Sequence, residues 1–328
     1  MLARLPAVRS TFEAAEGIRA IDSLMCGRER VTSCYLIEAA EPALVETGPS
    51  TSLDAVLDGL GELGVGADDL AHIVVTHIHL DHAGGAGTLA PHFPGATVWV
   101  HERGAPHLAD PAKLVASATR VYGEAKLKEL FGTVDPVPGD RLRAVTGGDR
   151  IGLGDRELEA IYTPGHASHH VALRDSSTGV VFVGDALGVF LPDVRVLRPA
   201  TPPPEFDLDQ AIQSIELIAS REPPAVLFSH FGPSPDVTEL CALAVNRLRR
   251  WTAVVEEALG RSGELSDVVS RLRSGTEDEL PPPESEGREQ VEDRYELLSS
   301  YEMNAMGLIR YIQRGSGQDR ADRRSATS

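Results

Sequence analysis

The chain has 328 residues, enough for one large α/β domain with an extension or for two smaller domains. Its formal net charge is −18, from 31 Lys and Arg against 49 Asp and Glu, which argues against the basic surfaces that bind nucleic acids and anionic membranes. The three cysteines, Cys26, Cys34 and Cys241, are widely spaced and include no CxxC pair, so neither a disulfide framework nor a thiolate zinc site is indicated.

A cytoplasmic location is predicted on two further grounds. No apolar stretch approaches the roughly 20 residues that span a bilayer. Residues 1–17 also lack the apolar core of a signal peptide.

The chain up to about residue 235 predicts a strand-rich α/β domain. Alternating or β-branched apolar runs predict strands at residues 18–21, 31–39, 43–46, 73–75, 97–100, 170–174, 180–183 and 225–228, and a hairpin at 150–161. Apolar residues at helical spacing predict helices at 52–63, 84–89, 105–132 and 208–220. Residues 1–235 are therefore interpreted as one domain.

A helical extension is predicted for residues 236–314. It contains a helix at 237–259, an acidic Pro-rich linker at 277–286 and an amphipathic helix at about 291–312, before a tail at 315–328 that is predicted to be disordered. The last helix has an apolar face that must be buried. This face consists of Leu297, Leu298, Tyr301, Ala305, Leu308 and Ile312. Three alternatives stay open for it: a lid over the pocket, a homodimer contact, or docking onto the chain's own core.

The segment from Thr76 to His82 carries the strongest chemical signal. His77 and His79 are two residues apart, so on extended backbone they project to the same side, and Asp81 and His82 follow as the chain turns. Three imidazoles and one carboxylate within six residues suit divalent metals such as zinc. A solvated His-rich turn is the alternative, and the density of the cluster disfavours it.

Three more ligand-type side chains come just after predicted buried strands. His166 follows a strand and a Pro-Gly turn, Asp185 follows the strand at 180–183, and His230 follows the strand at 225–228. Considered alone, Asp185 could as well be a helix N-cap as a metal ligand, and His230 could as well be a turn residue. Together with His77, they predict a site at one sheet edge, because strand ends hold side chains firmly while the loops stay open to substrate.

The sequence resembles the metallo-β-lactamase-fold hydrolase superfamily. Residues 77–82, 163–166, 184–185 and 229–230 carry the resemblance, which covers roughly residues 17–235. It implies an α/β (α+β) fold, a four-layer αββα sandwich here followed by the C-terminal helical extension. It also implies a metal site at the edge between the two sheets.

The resemblance further implies two divalent metal ions and an assignment of their ligands. Zinc is expected, with iron or manganese as alternatives. One ion takes His77, His79 and His166, the other takes Asp81, His82 and His230, and Asp185 bridges both together with a water or hydroxide. Asp81 and Asp185 are the expected catalytic carboxylates, Asp81 by orienting the nucleophile or passing a proton to the leaving group.

The predicted function is a dinuclear hydrolase that cleaves a thioester, a lactone or a related ester of a small molecule. The commonest β-lactamases resemble this pattern but have a cysteine where Asp185 stands, so glyoxalase II-like and lactonase-like enzymes are the better match. No basic glutathione-binding cluster is evident near the C-terminus, which weakens glyoxalase II itself. Two alternatives stay open: a mononuclear iron persulfide dioxygenase-like enzyme using His77, His166 and Asp185, and a non-catalytic metal-bearing sensor.

The remaining histidines are expected at the surface. They are His72, His92, His101, His107, His169 and His170. For His101, and for one of His169 and His170, support of a metal ligand by a hydrogen bond is the less favoured alternative.

Overall fold

The computed structural model describes residues 10–285 and 287–325, and it divides into two compact units. The strand unit comprises the described residues of Met1–Tyr162, Val171–Gly184 and Pro224–Pro235. The helical unit comprises those of Thr163–His170, Asp185–Pro223 and Asp236–Ser328. The predicted boundary after residue 235 and the predicted three-part division stay predictions.

A seven-stranded sheet of the strand unit has its strands in chain order. They are β1 (Thr11–Ala15), β2 (Ile18–Asp22), β3 (Ser33–Ile37), β4 (Ala43–Val45), β5 (His72–Val74), β6 (Thr97–His101) and β7 (Leu142–Val145). Pairing is antiparallel from β1 to β4 and parallel from β4 to β7. Parallel neighbours need crossover connections, which here are helical. The helices are α1 (Leu53–Glu62), α2 (Leu80–Ala83), α3 (Ala86–Leu89), α4 (Ala105–Ala109), α5 (Ala112–Tyr122) and α6 (Glu124–Phe131).

A six-stranded sheet completes the strand unit. Its strands are β8 (Arg150–Gly152), β9 (Glu157–Tyr162), β10 (Val171–Asp175), β11 (Val181–Gly184), β14 (Val226–Phe228) and β15 (Gly232–Ser234). The intervening strands β12 (Val189–Leu191) and β13 (Val196–Arg198) belong to the helical unit. The spatial order is β15-β14-β11-β10-β9-β8. Because β9 and β11 are each antiparallel to β10 and β14 is parallel to β11, these three strands run the same way. Their carboxyl ends therefore meet at one edge of this sheet.

Two apolar layers hold the strand unit together, and β3 shows how the sequence builds them. Tyr35 and Ile37 pack between the sheets with residues such as Phe182, whereas Cys34 and Leu36 face the layer that contains α1. Successive strand residues point to opposite faces, so a fully apolar strand must be covered on both sides. The sandwich of two sheets with helices outside is thus present, as predicted.

The described residues of the helical unit form one hairpin and five α-helices. They are β12 (Val189–Leu191), β13 (Val196–Arg198), α7 (Leu208–Ser220), α8 (Val237–Arg261), α9 (Leu265–Gly275), α10 (Arg288–Leu298) and α11 (Tyr301–Ser325). On α8, Leu240, Leu248, Trp251 and Val255 are buried, a helical stripe that faces its neighbours. Asp207 caps α7 by accepting a hydrogen bond from the Gln210 N–H at 2.9 Å.

The predicted helix at 291–312 is in fact two helices that meet at Ser299 and Ser300. The Ser300 hydroxyl accepts the backbone N–H of Met303 at 3.2 Å, so it competes with a continuous helix and starts α11 instead. Within this unit Tyr301, Ala305 and Leu308 are buried, so this part of the predicted face packs onto the chain's own helices. The lid and the homodimer contact stay predictions.

Other boundaries also differ from the sequence prediction. The helix predicted at 105–132 is three helices, separated at Pro111 and at Gly123, whose φ of 75° breaks the helix. The strands β1, β7, β12, β13 and β15 were not predicted, because each is short or half-exposed. α11 continues to Ser325, beyond the predicted start of the tail at residue 315, and residues 326–328 lie outside the described part.

Two expectations about the whole chain can be compared with the described residues. Across residues 10–285 and 287–325, no helix is both long enough and apolar enough to cross a bilayer. The three cysteines are free thiols, with Cys34 and Cys241 buried and Cys26 exposed.

Candidate metal centre

The predicted motif at residues 77–82 lies in the strand unit, on the loop after β5 and on the first helical turn beyond it. β5 ends at Val74, so His77 and His79 stand on the loop rather than on the strand itself, and α2 carries Asp81 and His82. The rings of His77 and His79 nevertheless meet, with His77 Nε2 3.0 Å from His79 Nδ1. The ring centroids of His77 and His82 are 4.0 Å apart. The local sequence therefore brings the imidazoles of His77, His79 and His82 close together.

His230 joins this cluster from the end of β14. Its Nε2 lies 3.5 Å from Asp81 Oδ2, and the His82 Nε2 lies 3.6 Å from the same oxygen. One ligand atom from each of Asp81, His82 and His230 falls within 4.8 Å of the others, close enough to hold one ion. Imidazole nitrogen with carboxylate oxygen is a donor set that suits zinc and similar divalent metals.

A buried carboxylate, Glu46, organises the cluster and was not predicted as a functional residue. It is 1 % exposed and directly follows β4, with a φ of 67°. Its Oε1 accepts hydrogen bonds from the Thr76 hydroxyl at 2.6 Å, from His82 Nδ1 at 3.1 Å and from the Ser229 hydroxyl at 2.8 Å. Glu46 thus connects the loops that carry His77, His82 and His230.

The contacts of Glu46 also set the tautomers of two rings. The carboxylate can only accept, so His82 donates through Nδ1 and carries its lone pair on Nε2, the nitrogen 3.6 Å from Asp81. The Thr76 hydroxyl donates to Glu46 and therefore accepts from His77 Nδ1 at 3.0 Å, which leaves His77 Nε2 with its lone pair. Glu46 with His77 and His82 also forms a possible ligand group by proximity, but its hydrogen bonds favour an orienting role.

The orientation of His230 follows the same principle. Its Nδ1 donates to the Val31 carbonyl oxygen at 3.3 Å, which directs Nε2 toward Asp81. The neighbouring backbone is fixed by Tyr35, whose hydroxyl donates to the Phe228 carbonyl at 2.5 Å and accepts the Gly232 N–H at 3.1 Å. Burial raises the pKa of Tyr35 well above its usual value, so this phenol stays protonated and keeps donating.

Tyr122 is the other phenol near this cluster. Burial chiefly, and the charge of Asp81 in addition, raises the pKa of Tyr122, so this side chain is neutral at physiological pH. It stands at the end of α5, in edge contact with Phe131 at a centroid distance of 5.2 Å. Tyr122 is therefore a neutral group within electrostatic range of Asp81.

The other two predicted ligands, His166 and Asp185, lie in the helical unit. His166 Nε2 is 3.5 Å from Asp185 Oδ2, and both side chains are buried. His166 Nδ1 donates to the carbonyl oxygen of Ala200 at 3.0 Å. His166 thus also presents Nε2 to a carboxylate and holds Nδ1 against a backbone acceptor.

His170 holds the backbone of Asp185 in place. Its Nε2 accepts the Asp185 N–H at 3.1 Å, so its Nδ1 is protonated and donates to the Thr163 hydroxyl at 2.8 Å. The expectation that His170 lies at the surface is wrong, since the residue is fully buried. The same correction applies to His72, His101 and His169, which are also buried, although His92 is exposed as expected.

Two of these buried histidines have packing roles in the strand unit. His72 accepts the Trp99 indole N–H at 3.0 Å and pairs with Glu41 at 3.2 Å. His101 stacks on Tyr162 with a centroid distance of 4.7 Å. Sequence reasoning could not separate these rings from solvated ones, because their partners are distant in the chain.

A cleft of the helical unit opens at His166 and Asp185. Its interior is small, about 10 Å³, roughly the room that one water molecule needs, and apart from these two residues its lining is apolar or backbone. The other lining residues are Ala186, Leu187, Gly188, Pro199, Ala200, Phe206, Ala211 and Leu248. The cleft therefore sets these two polar side chains against a mostly apolar wall.

The chain was compared with known protein families and solved structures. Residues 27–230 match the family model described as metallo-beta-lactamase superfamily. The metallo-beta-lactamase fold-containing protein ST1585 of Sulfurisphaera tokodaii is 31 % identical over 177 residues, 52 % of this chain and 65 % of that protein. Its solved structure superposes with a TM-score of 0.63 at 22 % identity, covering 89 % of this chain and 98 % of that one, which confirms the predicted fold.

Two further relatives carry the names of enzymes. An N-acyl homoserine lactonase of Bacillus cereus is 26 % identical over 60 % of this chain and 80 % of its own length. A hydroxyacylglutathione hydrolase of Synechococcus is 28 % identical over 47 % of this chain. The chain spans about half of that hydrolase, 48 % of its length.

Proposed function

Since the chain belongs to the metallo-beta-lactamase superfamily, we propose that it is a metal-dependent hydrolase with two divalent ions, acting on a thioester, lactone or related ester. The observation that carries the proposal is that three buried histidines, His82, His166 and His230, each have their Nδ1 held by a fixed acceptor. Such partners raise the basicity of a ligand and fix its direction, and they accompany metal-binding histidines in general.

The proposed ligand sets are those that the resemblance implies. His77, His79 and His166 take one ion, Asp81, His82 and His230 take the other, and Asp185 is the shared ligand. The close approach of Asp81, His82 and His230 supports the second set. The proximity of His77 to His79 and of His166 to Asp185 supports the rest.

The ions would supply an activated water and would polarise the carbonyl oxygen of the substrate. The chain's own residues do the remaining work. Asp81 is 20 % exposed at its side chain, more than His82 or His230, so it can reach both the water and the leaving group. We assign it the transfer of a proton from the attacking water to the leaving oxygen or sulfur. Asp185, held through its backbone by His170, keeps a carboxylate at the centre.

Zinc is the metal we propose, because imidazole and carboxylate donors suit it. The names of the lactonase and hydrolase relatives support ester-type bonds. A cytoplasmic location, the absence of nucleic-acid and membrane partners, and a homodimer through the C-terminal helices stay proposals from the sequence.

The test is a hydrolysis panel on zinc-reconstituted protein. It contains aryl esters, thioesters and lactones, and compares the wild type with His79→Ala and the exposed control His92→Ala. We expect turnover of at least one class, a fall of about 100-fold or more in kcat/KM for His79→Ala, and no change for His92→Ala.

Two results would overturn the proposal. Uniform inactivity of fully metallated protein, with a small molecule co-purifying, would favour a binding protein. Thiol-dependent oxygen consumption by an iron-loaded form with one ion per chain would favour a dioxygenase.

A further inference from the structure

The junction between α10 and α11 is hydrogen-bonded to residues 199–201, the short segment whose Ala200 carbonyl accepts a hydrogen bond from His166. We propose that Ser299 and Asn304 are positioning residues for His166: they fix the Ala200 carbonyl, which in turn fixes the tautomer and direction of the imidazole. The inference rests on the proposed function, in which His166 is a metal ligand.

The hydrogen bonds of the junction flank Ala200 on both sides. The Ser299 hydroxyl donates to the Pro199 carbonyl at 2.6 Å. On the other side, the Thr201 N–H donates to Asn304 Oδ1 at 2.7 Å, and the Thr201 hydroxyl lies 2.8 Å from the same oxygen. The peptide between these anchors presents the Ala200 carbonyl to His166 Nδ1 at 3.0 Å.

Asn304 is itself held in one orientation. Its amide nitrogen donates to the Ser299 hydroxyl at 2.7 Å, the Ser299 carbonyl at 3.2 Å and the Ser300 carbonyl at 3.0 Å. Asn304 and Ser299 are 2 % and 3 % exposed, so the network is shielded from water. A buried amide with both ends engaged cannot rotate without breaking several bonds.

Aromatic rings pack against Arg198, the residue that precedes the segment 199–201. The Arg198 guanidinium lies 4.2 Å from the ring centroids of both Tyr295 and Tyr301, and its Nη1 donates to the Ser299 carbonyl at 3.2 Å. On α11, a Cβ added at Gly307 would lie 1.8 Å from the Thr201 carbonyl oxygen, so the helix backbone is in direct contact with the segment.

These contacts do more than bury apolar surface. Apolar packing would stabilise the segment without selecting the direction of one carbonyl, whereas hydrogen bonds to the residues before and after Ala200 select it. With Nδ1–H given to Ala200, the His166 lone pair is on Nε2, the nitrogen 3.5 Å from Asp185. The C-terminal helices therefore act on His166 through one backbone carbonyl, that of Ala200.

The experiment compares Asn304→Ala and Ser299→Ala with the control Val268→Ala, a fully buried position on α9 outside the network. The first readout is the ¹⁵N spectrum of the His166 ring in metal-free protein at a pH where the ring is neutral, assigned with His166→Gln. The wild type and Val268→Ala should show one tautomer protonated at Nδ1, and Asn304→Ala should show a mixture. The second readout is zinc affinity, expected to fall about 10- to 100-fold for one of two ions in Asn304→Ala.

The outcomes separate this inference from the proposed function. If wild-type His166 lacks a single Nδ1–H tautomer, or if Asn304→Ala and Ser299→Ala both keep it, the positioning role is overturned. If Asn304→Ala does not fold, Ser299→Ala decides, because it removes only one hydroxyl. If the wild type binds no zinc, the proposed function fails, while the tautomer readout still tests the positioning role.

Discussion

Three of the candidate histidine ligands, His82, His166 and His230, direct Nε2 toward a carboxylate because an acceptor of the protein holds Nδ1. For His82 the acceptor is the Glu46 carboxylate, for His230 it is the Val31 carbonyl and for His166 the Ala200 carbonyl. A neutral imidazole has one donor and one acceptor nitrogen, so fixing one fixes the other. The chemistry of the centre thus depends on residues that would touch no metal.

Glu46→Gln tests this dependence. The variant keeps the size of the side chain, but a neutral amide accepts the Thr76, His82 and Ser229 hydrogen bonds less well than a carboxylate. We expect zinc affinity to fall about 10- to 100-fold, measured by competition with a chelating dye. Glu41→Gln is the control, since Glu41 is mostly exposed at its side chain and pairs with His72 instead. Equal affinity in the wild type and Glu46→Gln would contradict the role of Glu46.

His170→Phe tests the support of Asp185. The substitution leaves the Asp185 N–H and the Thr163 hydroxyl without the ring nitrogens that they contact. Loss of buried hydrogen bonds should lower the free energy of unfolding by about 1–3 kcal/mol, measured by urea denaturation. The exposed His92→Phe should change it by less than about 0.5 kcal/mol. A His170→Phe protein as stable as the wild type would show that these bonds contribute nothing.

At the scale of elements, the turn between β10 and β11 depends on one buried ion pair. Arg156 Nη2 lies 2.6 Å from Asp175 Oδ2, and the Thr178 hydroxyl and N–H each donate to that oxygen at 2.7 Å. Burial alone would raise the pKa of Asp175, but the hydrogen bonds from Arg156 and Thr178 outweigh it and lower the pKa. The charged form of Asp175 therefore stabilises the fold.

The pH dependence follows from the sign of that shift. A carboxyl with a depressed pKa in the folded state stabilises the protein above its unfolded pKa, and this contribution is lost as the pH falls through the folded value. Asp175→Asn should destabilise the protein by about 3–5 kcal/mol at pH 7, because Arg156 stays buried without its partner. The free energy of unfolding of Asp175→Asn, measured by urea denaturation, should also fall less steeply below about pH 4 than that of the wild type. A variant with the wild-type acid profile would contradict this account.

Glycines on α11 and α8 give a matched pair of predictions. In a helix interior, Gly→Ala normally stabilises by about 0.5–1 kcal/mol. Gly260 lies in the last turn of α8 with open space where a Cβ would go, so Gly260→Ala should also stabilise, by no more than that amount. Gly307→Ala should instead destabilise, because its Cβ would meet the Thr201 carbonyl oxygen at 1.8 Å. Thermal unfolding of the two variants checks both signs, and a stabilised Gly307→Ala would show that α11 does not pack against this segment.

Sequence patterns predicted local features well and long-range partners poorly. The cluster at residues 77–82 was visible because its members are adjacent, and buried strands were visible from their apolar runs. Glu46 was not predicted, because its partners Thr76, His82 and Ser229 lie 30, 36 and 183 residues away. His170 was misjudged for a related reason, since nothing in the local pattern shows that its ring points inward.

At the scale of the whole molecule, the family resemblance predicted the sandwich, and solved structures of the same fold confirm it. The resemblance did not extend to the C-terminal helices. There the break at Ser299 and the contacts of Asn304 depend on single polar residues rather than on apolar periodicity. The C-terminal helices, which carry none of the family's motifs, thus fix residues 199–201 next to His166.

The metal stoichiometry of the intact chain tests the central claim most directly. After removal of bound metal and titration with zinc, the wild type should bind about two ions per chain, and His230→Ala should bind about one tightly. His92→Ala should behave as the wild type. Fewer than one ion per wild-type chain after careful reconstitution would contradict the account of a dinuclear centre.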